Sequence, residues 1–321
     1  MSEHVVNLYG LNNINASELR RLLPDRPDVT ITDISPEDDP RAHREILADA
    51  TVVLAPLIKE RRIEADMLDL LPNCRLIQSA AVGFDGVDHL AAAERGIRVA
   101  NLPGFNSDAV ADWTVGALLC LLRNYTAAHT KITTGGWGPD GLRGHELSAL
   151  TVGILGFGNI GRALARRLDG FGTTVLVHDP LRPEPGRTYL ELEELLPRTN
   201  VLSVHLPLNA GTANLLDDEA LAKLPEGTYL INAGRGGVID EDALARALQR
   251  GHLAGAALDV FAEEPLPADS PLRERSDVLL TPHTAGVTWQ AYHKLRTQLI
   301  EALANVLSGN APENVVNGVR A

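Results

Sequence analysis

Three glycines and one aspartate are the first residues of this chain whose types and spacing imply chemistry. In Thr151-Val-Gly-Ile-Leu-Gly156-Phe-Gly158-Asn-Ile-Gly161, an apolar strand runs into a glycine turn. A helix follows, with Ile160, Leu164 and Leu168 spaced to bury one face. Gly156 permits the turn, Gly158 lets the backbone approach a pyrophosphate, and Gly161 lets the helix pack close to the strand. Amides at the helix start, with the positive end of its dipole, then hold the phosphates. The glycines alone are weak evidence. A second strand, Thr174–Val177, with Asp179 about 20 residues past the glycines, makes the pattern specific, because a carboxylate there accepts hydrogen bonds from the adenosine ribose. It also repels a 2′-phosphate, so NAD is the expected cofactor, although Arg182 and Arg187 nearby weaken the preference over NADP.

Ligands of such sheets bind outside the carboxyl ends of the strands, and three further candidates fall there. Arg235, in Asn232-Ala-Gly-Arg235-Gly-Gly237, directly follows a strand, and its planar fork of donors suits a carboxylate. His283 ends Val-Leu-Leu-Thr-Pro-His and is the natural proton donor or acceptor. An acid beside that imidazole would fix its tautomer, and position leaves Glu263 and Glu264 both open. His205 shares the strand-end setting, but Leu206-Pro207 follow it in what reads as a cofactor loop.

Two series of strand-like runs, alternating with helical patterns, must position these groups. The first is Val5–Tyr9, Val29–Ile34, Val52–Ala55, Leu76–Ser79 and Val99–Asn101. The second has six members: Thr151–Leu155, Thr174–Val177, Val201–His205, Tyr229–Asn232, Gly255–Val260 and Val278–Thr281. A long helix, capped by Asn106 or Ser107 with Val110–Leu122 as its body, separates the series, and Gly135–Pro139 reads as irregular. Another long helix, Val287–Leu307, returns to the first series. The expectation is an α/β chain of two doubly wound parallel-sheet domains, residues 102–286 interrupting a domain made of 1–101 and 287–321.

Composition excludes several classes of partner. Apolar residues are 45% of the 321 and charged residues 22%, as in soluble globular proteins of two domains. With 42 acidic and 29 basic residues the net charge is −13, which repels nucleic acid and anionic membrane. Arg61-Arg62 and Arg166-Arg167 read as solvated surface. Cys74 and Cys120 lie in no CxxC or metal-spaced cluster, so no disulfide framework and no metal are expected. The N-terminus lacks a signal pattern and Val115–Leu122 is too short to cross a bilayer, which points to the cytoplasm.

The ordered motifs resemble the D-isomer-specific 2-hydroxyacid dehydrogenases, the family of phosphoglycerate, glyoxylate/hydroxypyruvate and D-lactate dehydrogenases. They are Val82-Gly83-Phe84-Asp85-Gly86-Val87-Asp88, the glycine turn with Asp179, His205-Leu206-Pro207 and Asn232-Ala-Gly-Arg-Gly236. Leu258-Asp259-Val260-Phe261 with Glu264-Pro265, and Pro282-His283-Thr284-Ala285-Gly286, complete the set. The resemblance implies a flavodoxin-like substrate domain interrupted by a Rossmann NAD-binding domain, a homodimer, and D-configured 2-hydroxy acids interconverted with 2-keto acids. It further implies that Arg235 binds the substrate carboxylate, that His283 protonates the keto oxygen, and that Glu264, the acid before the proline, supports the histidine. Backbone amides around Val82 and Gly83 would clamp the carboxylate, and Asp259 would meet the nicotinamide carboxamide. Asn159, Ile160, His205, Pro207, Thr212, Asn232, Ala233 and Gly286 would line the cofactor.

Departures narrow the substrate. Ala81 stands where the family often has Gly, and the Val-Ala-Glu-His run becomes Val110-Ala111-Asp112-Trp113, with Trp113 expected in the core. Leu54-Ala-Pro-Leu57 lacks the arginine that phosphoglycerate-type members use for a phosphate, and the partner-reaching region Trp137–Leu142 has no basic residue before Arg143. A non-phosphorylated keto acid is therefore expected, with Lys59, Arg61 and Arg62 as the opposing observation. The chain ends soon after its last helix, so no effector domain is expected. Rivals are phosphoglycerate- or phosphite-type activity, formate oxidation (against which Glu264 argues, since formate enzymes carry Gln there), and an NAD-sensing scaffold like the C-terminal-binding-protein corepressors.

Overall fold

The computed structural model describes residues 3–9, 14–23, 26–56, 62–182 and 184–319. In chain order its first stretch runs β1 (His4–Asn7), α1 (Ala16–Leu22), β2 (Thr30–Asp33), α2 (Arg44–Ala48), β3 (Val52–Ala55), α3 (Ala65–Leu68), β4 (Leu76–Ser79), α4 (His89–Glu94) and β5 (Arg98–Ala100). Next come α5 (Ser107–Leu122), α6 (Tyr125–Thr133), β6 (Thr151–Leu155), α7 (Asn159–Gly170), β7 (Thr174–His178), β8 (Thr188–Tyr189), α8 (Leu192–Leu195) and β9 (Val201–Val204). The chain continues through α9 (Asp218–Ala222), β10 (Thr228–Asn232), α10 (Glu241–Gln249), β11 (Leu253–Leu258), β12 (Val278–Leu280) and α11 (Trp289–Leu307). It divides into two compact units, Met1–Asn106 with Trp289–Ala321, and Ser107–Thr288.

The first unit carries a five-stranded parallel sheet in the order β2-β1-β3-β4-β5, the flavodoxin-like pattern. Its strands are apolar at successive positions because both faces are covered. Val5, Leu54, Leu76 and Ala100 enter one core, while Val6, Val53, Ile77 and Val99 enter the other. Leu295, Leu299, Leu303 and Leu307 of α11 repeat every fourth residue and bury into the first of these cores, each worth about 1.5–3 kcal/mol of transfer free energy. This stripe ties the last helix to the first sheet.

The second unit carries a seven-stranded parallel sheet, β12-β11-β10-β9-β6-β7-β8. Leu155, Leu202, Leu230 and Leu258 face a core shared with α8, α9 and α10; Ile154, Val201, Ile231 and Ala257 face one shared with α5 and α7. Strand order reverses between β6 and β9, so their carboxyl ends open the switch point where ligands of such sheets bind.

The second sheet has one strand more than the six expected. The extra strand, β8, is two residues at the edge beside β7, set in a charged stretch with no apolar run to announce it. Its Tyr189 ring packs edge-on against Phe157 of the glycine turn, centroids 6.0 Å apart. The capping expectation for α5 fails as well. Asn106 Oδ1 and Ser107 Oγ are buried without hydrogen-bond partners. The helix start is held from the side, by the Arg167 guanidinium on Asp108 at 3.3 Å and on Asp112 at 2.5 Å. Among the described residues no helix is long and apolar enough to cross a membrane.

Candidate active site

At the switch point, Gly156 adopts φ +87°, and a Cβ there would lie 2.7 Å from the His205 carbonyl oxygen. A Cβ on Gly161 would lie 2.3 Å from the Gly156 carbonyl, so α7 packs on β6 as closely as glycine permits. A Cβ on Gly158, by contrast, would meet no atom within 4 Å, and the backbone at the start of α7 faces open space. Asp179 locks this turn: Oδ2 accepts the Phe157 amide at 2.7 Å and Oδ1 the Leu181 amide at 2.9 Å. Each oxygen keeps a lone pair for a ribose hydroxyl. Arg187 is drawn away to Asp169 at 2.7 and 2.8 Å, and Arg182 to Glu191 at 3.0 Å. An open helix N-terminus beside a carboxylate of this kind fits the pyrophosphate and 2′-hydroxyl of NAD.

The other end of the unit assembles three separate loops. After β10, buried Asn232 clamps its own turn, Oδ1 accepting the Gly234 amide and Nδ2 donating to the Arg235 carbonyl, both at 3.0 Å. Arg235 is half-buried, with Nη1 donating to the Gly234 carbonyl at 2.8 Å. Gly236 then presses on the loop after β11; a Cβ there would lie 1.8 Å from the Phe261 carbonyl carbon. That loop carries Glu264, whose Oε1 accepts the Phe261 amide at 3.0 Å. Its Oε2 meets His283 Nδ1 at 2.8 Å. Glu263 is exposed.

His283 sits at φ +55°, a left-handed conformation that costs a non-glycine residue roughly 1–2 kcal/mol. Asp259 supplies what holds it there. The His283 amide donates to the Asp259 carbonyl at 2.8 Å. The Asp259 carboxylate, 1% exposed, accepts Thr281 Oγ1 at 2.5 Å and the amides of Thr284 and Ala285 at 2.8 Å each. Three of its lone-pair sites thus go to the histidine loop.

The remaining candidates divide by what they expose. His205 is turned inward: Nε2 meets Ser203 Oγ at 2.8 Å, Nδ1 is buried without a partner, and burial pushes the imidazole down to about 4. Its ring is neutral and its carbonyl lines the glycine turn. Thr212 Oγ1 donates to the Pro207 carbonyl at 2.6 Å and closes the loop after β9. Asn159 is exposed at the start of α7, its Oδ1 held by Arg162 at 2.8 Å, and Gly286 is half-buried beyond the histidine. Ile160 joins Ala233, Ala285, Val110 and Trp113 in a small apolar cluster, and Trp113 also packs, as expected, against the core of α5 and α7. Sequence reasoning missed Val110 as part of this cluster and Gly236 as the spacer between the arginine and glutamate loops. A Gly-Gly pair after a strand-end arginine was the available signal for the latter.

In the first unit, Val82 and Gly83 are half-buried on the loop after β4. The carbonyls of Ala81, Val82 and Gly83 accept from Leu102 N (3.0 Å), Asn101 Nδ2 (2.7 Å) and Ser79 Oγ (2.7 Å). Because a trans peptide sets C=O and N–H on opposite sides, this turns the Val82 and Gly83 amides away from the Leu102 and Asn101 donors. Asp88 of the same motif caps α4 through the Ala91 amide at 2.9 Å. Leu57, Lys59 and Arg61 lie outside the described residues. Arg62 pairs with Glu64 at 3.3 Å. Among the described residues no cluster of acids, histidines and cysteines could hold a metal ion.

Comparison with known proteins agrees with this geometry. Residues 115–285 match the family described as D-isomer specific 2-hydroxyacid dehydrogenase, NAD binding domain. A glyoxylate reductase of Thermofilum pendens is 37% identical over 266 residues, 80% of this chain and 78% of that protein. A D-3-phosphoglycerate dehydrogenase of Mycobacterium bovis is 38% identical over 260 residues, 79% of this chain and 49% of that protein. The crystal structure of D-lactate dehydrogenase from Aquifex aeolicus, complexed with NAD and lactic acid, superposes with a TM-score of 0.84 at 27% identity and covers 96% of both chains. NAD is the cofactor of the inserted domain, and the chain belongs to the D-isomer-specific 2-hydroxyacid dehydrogenase family of oxidoreductases.

Proposed function

We propose that the protein interconverts a small, non-phosphorylated 2-keto acid, such as glyoxylate, hydroxypyruvate or pyruvate, with its D-2-hydroxy acid. The carrying observation is the His283–Glu264 pair at 2.8 Å beside the Arg235 turn, the two loops pressed together at Gly236. NAD, when bound along Gly156–Gly161 and Asp179, supplies the hydride acceptor or donor. Arg235 binds the substrate carboxylate and draws electron density toward the keto oxygen. With Nδ1–H donated to Glu264, the His283 proton for that oxygen is held at Nε2. Cationic Arg235 and protonated His283 stabilise the alkoxide as it forms. Ile160, Ala233 and Ala285 give the cofactor an apolar wall.

We assign the substrate-binding role to the unit of Met1–Asn106 with Trp289–Ala321 and the NAD-binding role to Ser107–Thr288. A homodimer is supported by α6, which has no buried residue, and by Tyr125, Ile132 and Trp137, exposed to 54%, 52% and 87%. Free Cys74 and Cys120 support a reducing, cytoplasmic setting. Similarity to phosphoglycerate dehydrogenases supports a second reading, a phosphorylated substrate. NADH oxidation across glyoxylate, hydroxypyruvate, pyruvate, phenylpyruvate and phosphohydroxypyruvate separates the two. Turnover with the unphosphorylated acids is expected; activity with phosphohydroxypyruvate alone overturns the substrate assignment, and NADH binding without any turnover favours a scaffold.

A further inference from the structure

Helix α10 begins six residues after Arg235, and its first residue points back into the site. Glu241 Oε1 accepts the amide of Ala262 at 2.5 Å. The preceding amide, Phe261, donates to Glu264 Oε1 at 3.0 Å. Two successive amides are thus each held by a carboxylate, one from α10 and one from the loop's own Glu264, whose other oxygen meets His283.

Glu241 starts from a fixed place. Asp240 caps α10 through the Ala243 amide at 3.0 Å, which sets the first turn. An acid reciprocating that cap would stand at the third helical position, occupied here by Ala243, so the capping role does not explain Glu241. Nor does solvation explain it, since Glu241 is half-buried. Burial, with the nearby negative charges of Asp242 and Glu264, raises its proton affinity against the opposing pull of the Ala262 amide. Any acid in that first turn gains from the helix dipole; what Glu241 gains beyond it is the Ala262 amide.

We propose that Glu241 is a positioning residue for the reaction: by gripping the 261–262 peptide against Gly236, it aims Glu264 at His283. The segment 235–241 then does two jobs, presenting Arg235 to the substrate and fixing the turn that orients the acid–base pair. Any shift of α10 away from β11 misaligns both together.

This inference rests on the keto acid reading for its kinetic arm only, and a spectroscopic arm stands apart from it. The test uses the full NADH-bound chain with E241A, E241D and E241Q, labelled with 15N-histidine, the His283 signals being identified by their loss in H283N. Gln keeps an oxygen for the Ala262 amide, whereas Asp keeps the charge but withdraws it by one bond. E241A and E241D should lower kcat about tenfold or more, with NADH affinity and the thermal midpoint retained. Both should also lose the His283 Nδ1–H signal of the bond to Glu264. E241Q should restore both kcat and the signal. An unchanged signal in E241A and E241D overturns the proposal, as does E241Q behaving like E241A; if E241A does not fold, E241D against E241Q decides. A wild-type enzyme inert toward every keto acid sinks the function and leaves the signal to judge Glu241.

Discussion

The two ends of the nucleotide-binding unit are built on opposite plans. At the adenosine end, six consecutive residues, 156–161, form the proposed phosphate cradle, and a single acid, Asp179, braces them through the Phe157 amide. At the reacting end, turns from after β10, β11 and β12 converge, and their alignment comes from contacts between them. Asn232 clamps the first, Asp259 reaches from the second to clamp the third, and Gly236 sets the spacing between the first and second. The adenosine end depends on local backbone conformation. The reacting end depends on contacts between three separate loops, so it is the end where one substitution can disable chemistry while leaving cofactor binding intact.

The sharpest break of that contrast is His283→Ala. Loss of the proposed proton donor is expected to lower kcat about 10²–10⁴-fold, as for a general acid, while NADH affinity stays near wild type because the proposed phosphate cradle lies elsewhere. Stopped-flow turnover and fluorescence titration of NADH measure the two halves, and a parallel loss of both would merge ends that the geometry separates. Gly236→Ala comes next. With its Cβ 1.8 Å from the Phe261 carbonyl carbon, either the arginine loop or the glutamate loop must move. Overpacking of this kind costs about 1–3 kcal/mol, read in the urea midpoint. Turnover should fall by about tenfold or more through misplacement of Arg235 relative to Glu264. An Ala variant with native kcat would mean the spacing is not what aligns them.

How much of this was legible in the sequence follows from the same contrast. The Gly156–Asp179 stretch was readable because every requirement falls within one strand–turn–helix–strand unit, and β3, β4 and β6 begin and end where their apolar runs do. Asp259 was visible as a strand-end acid, but its grip on Thr281, Thr284 and Ala285 was not, because nothing local shows which loop lies opposite. The choice between Glu263 and Glu264 likewise needed the 2.8 Å contact with His283 or a family resemblance. Strand β8 escaped because two residues, Thr188 and Tyr189, cannot display a period. At the start of α5 the residue types suited a cap, yet burial left Asn106 Oδ1 and Ser107 Oγ without partners, and propensity alone misled.

The smallest effect should come from Asp179→Asn. The carboxylate now accepts two amides, Phe157 at 2.7 Å and Leu181 at 2.9 Å, one on each oxygen. An asparagine has one accepting oxygen, so one of those amides loses its partner, at about 1–3 kcal/mol if it stays buried. The charge that repels a 2′-phosphate also disappears. NADH binding should weaken while NADPH binding improves, moving their affinity ratio by about tenfold, the equivalent of 1.4 kcal/mol. kcat at saturating NADH should hold, because Arg235, Glu264 and His283 are positioned without reference to Asp179. Titrating both nucleotides against the variant checks this. An unchanged ratio removes Asp179 from the ribose site, and a fall in saturated kcat would show that the adenosine end reaches the chemistry after all.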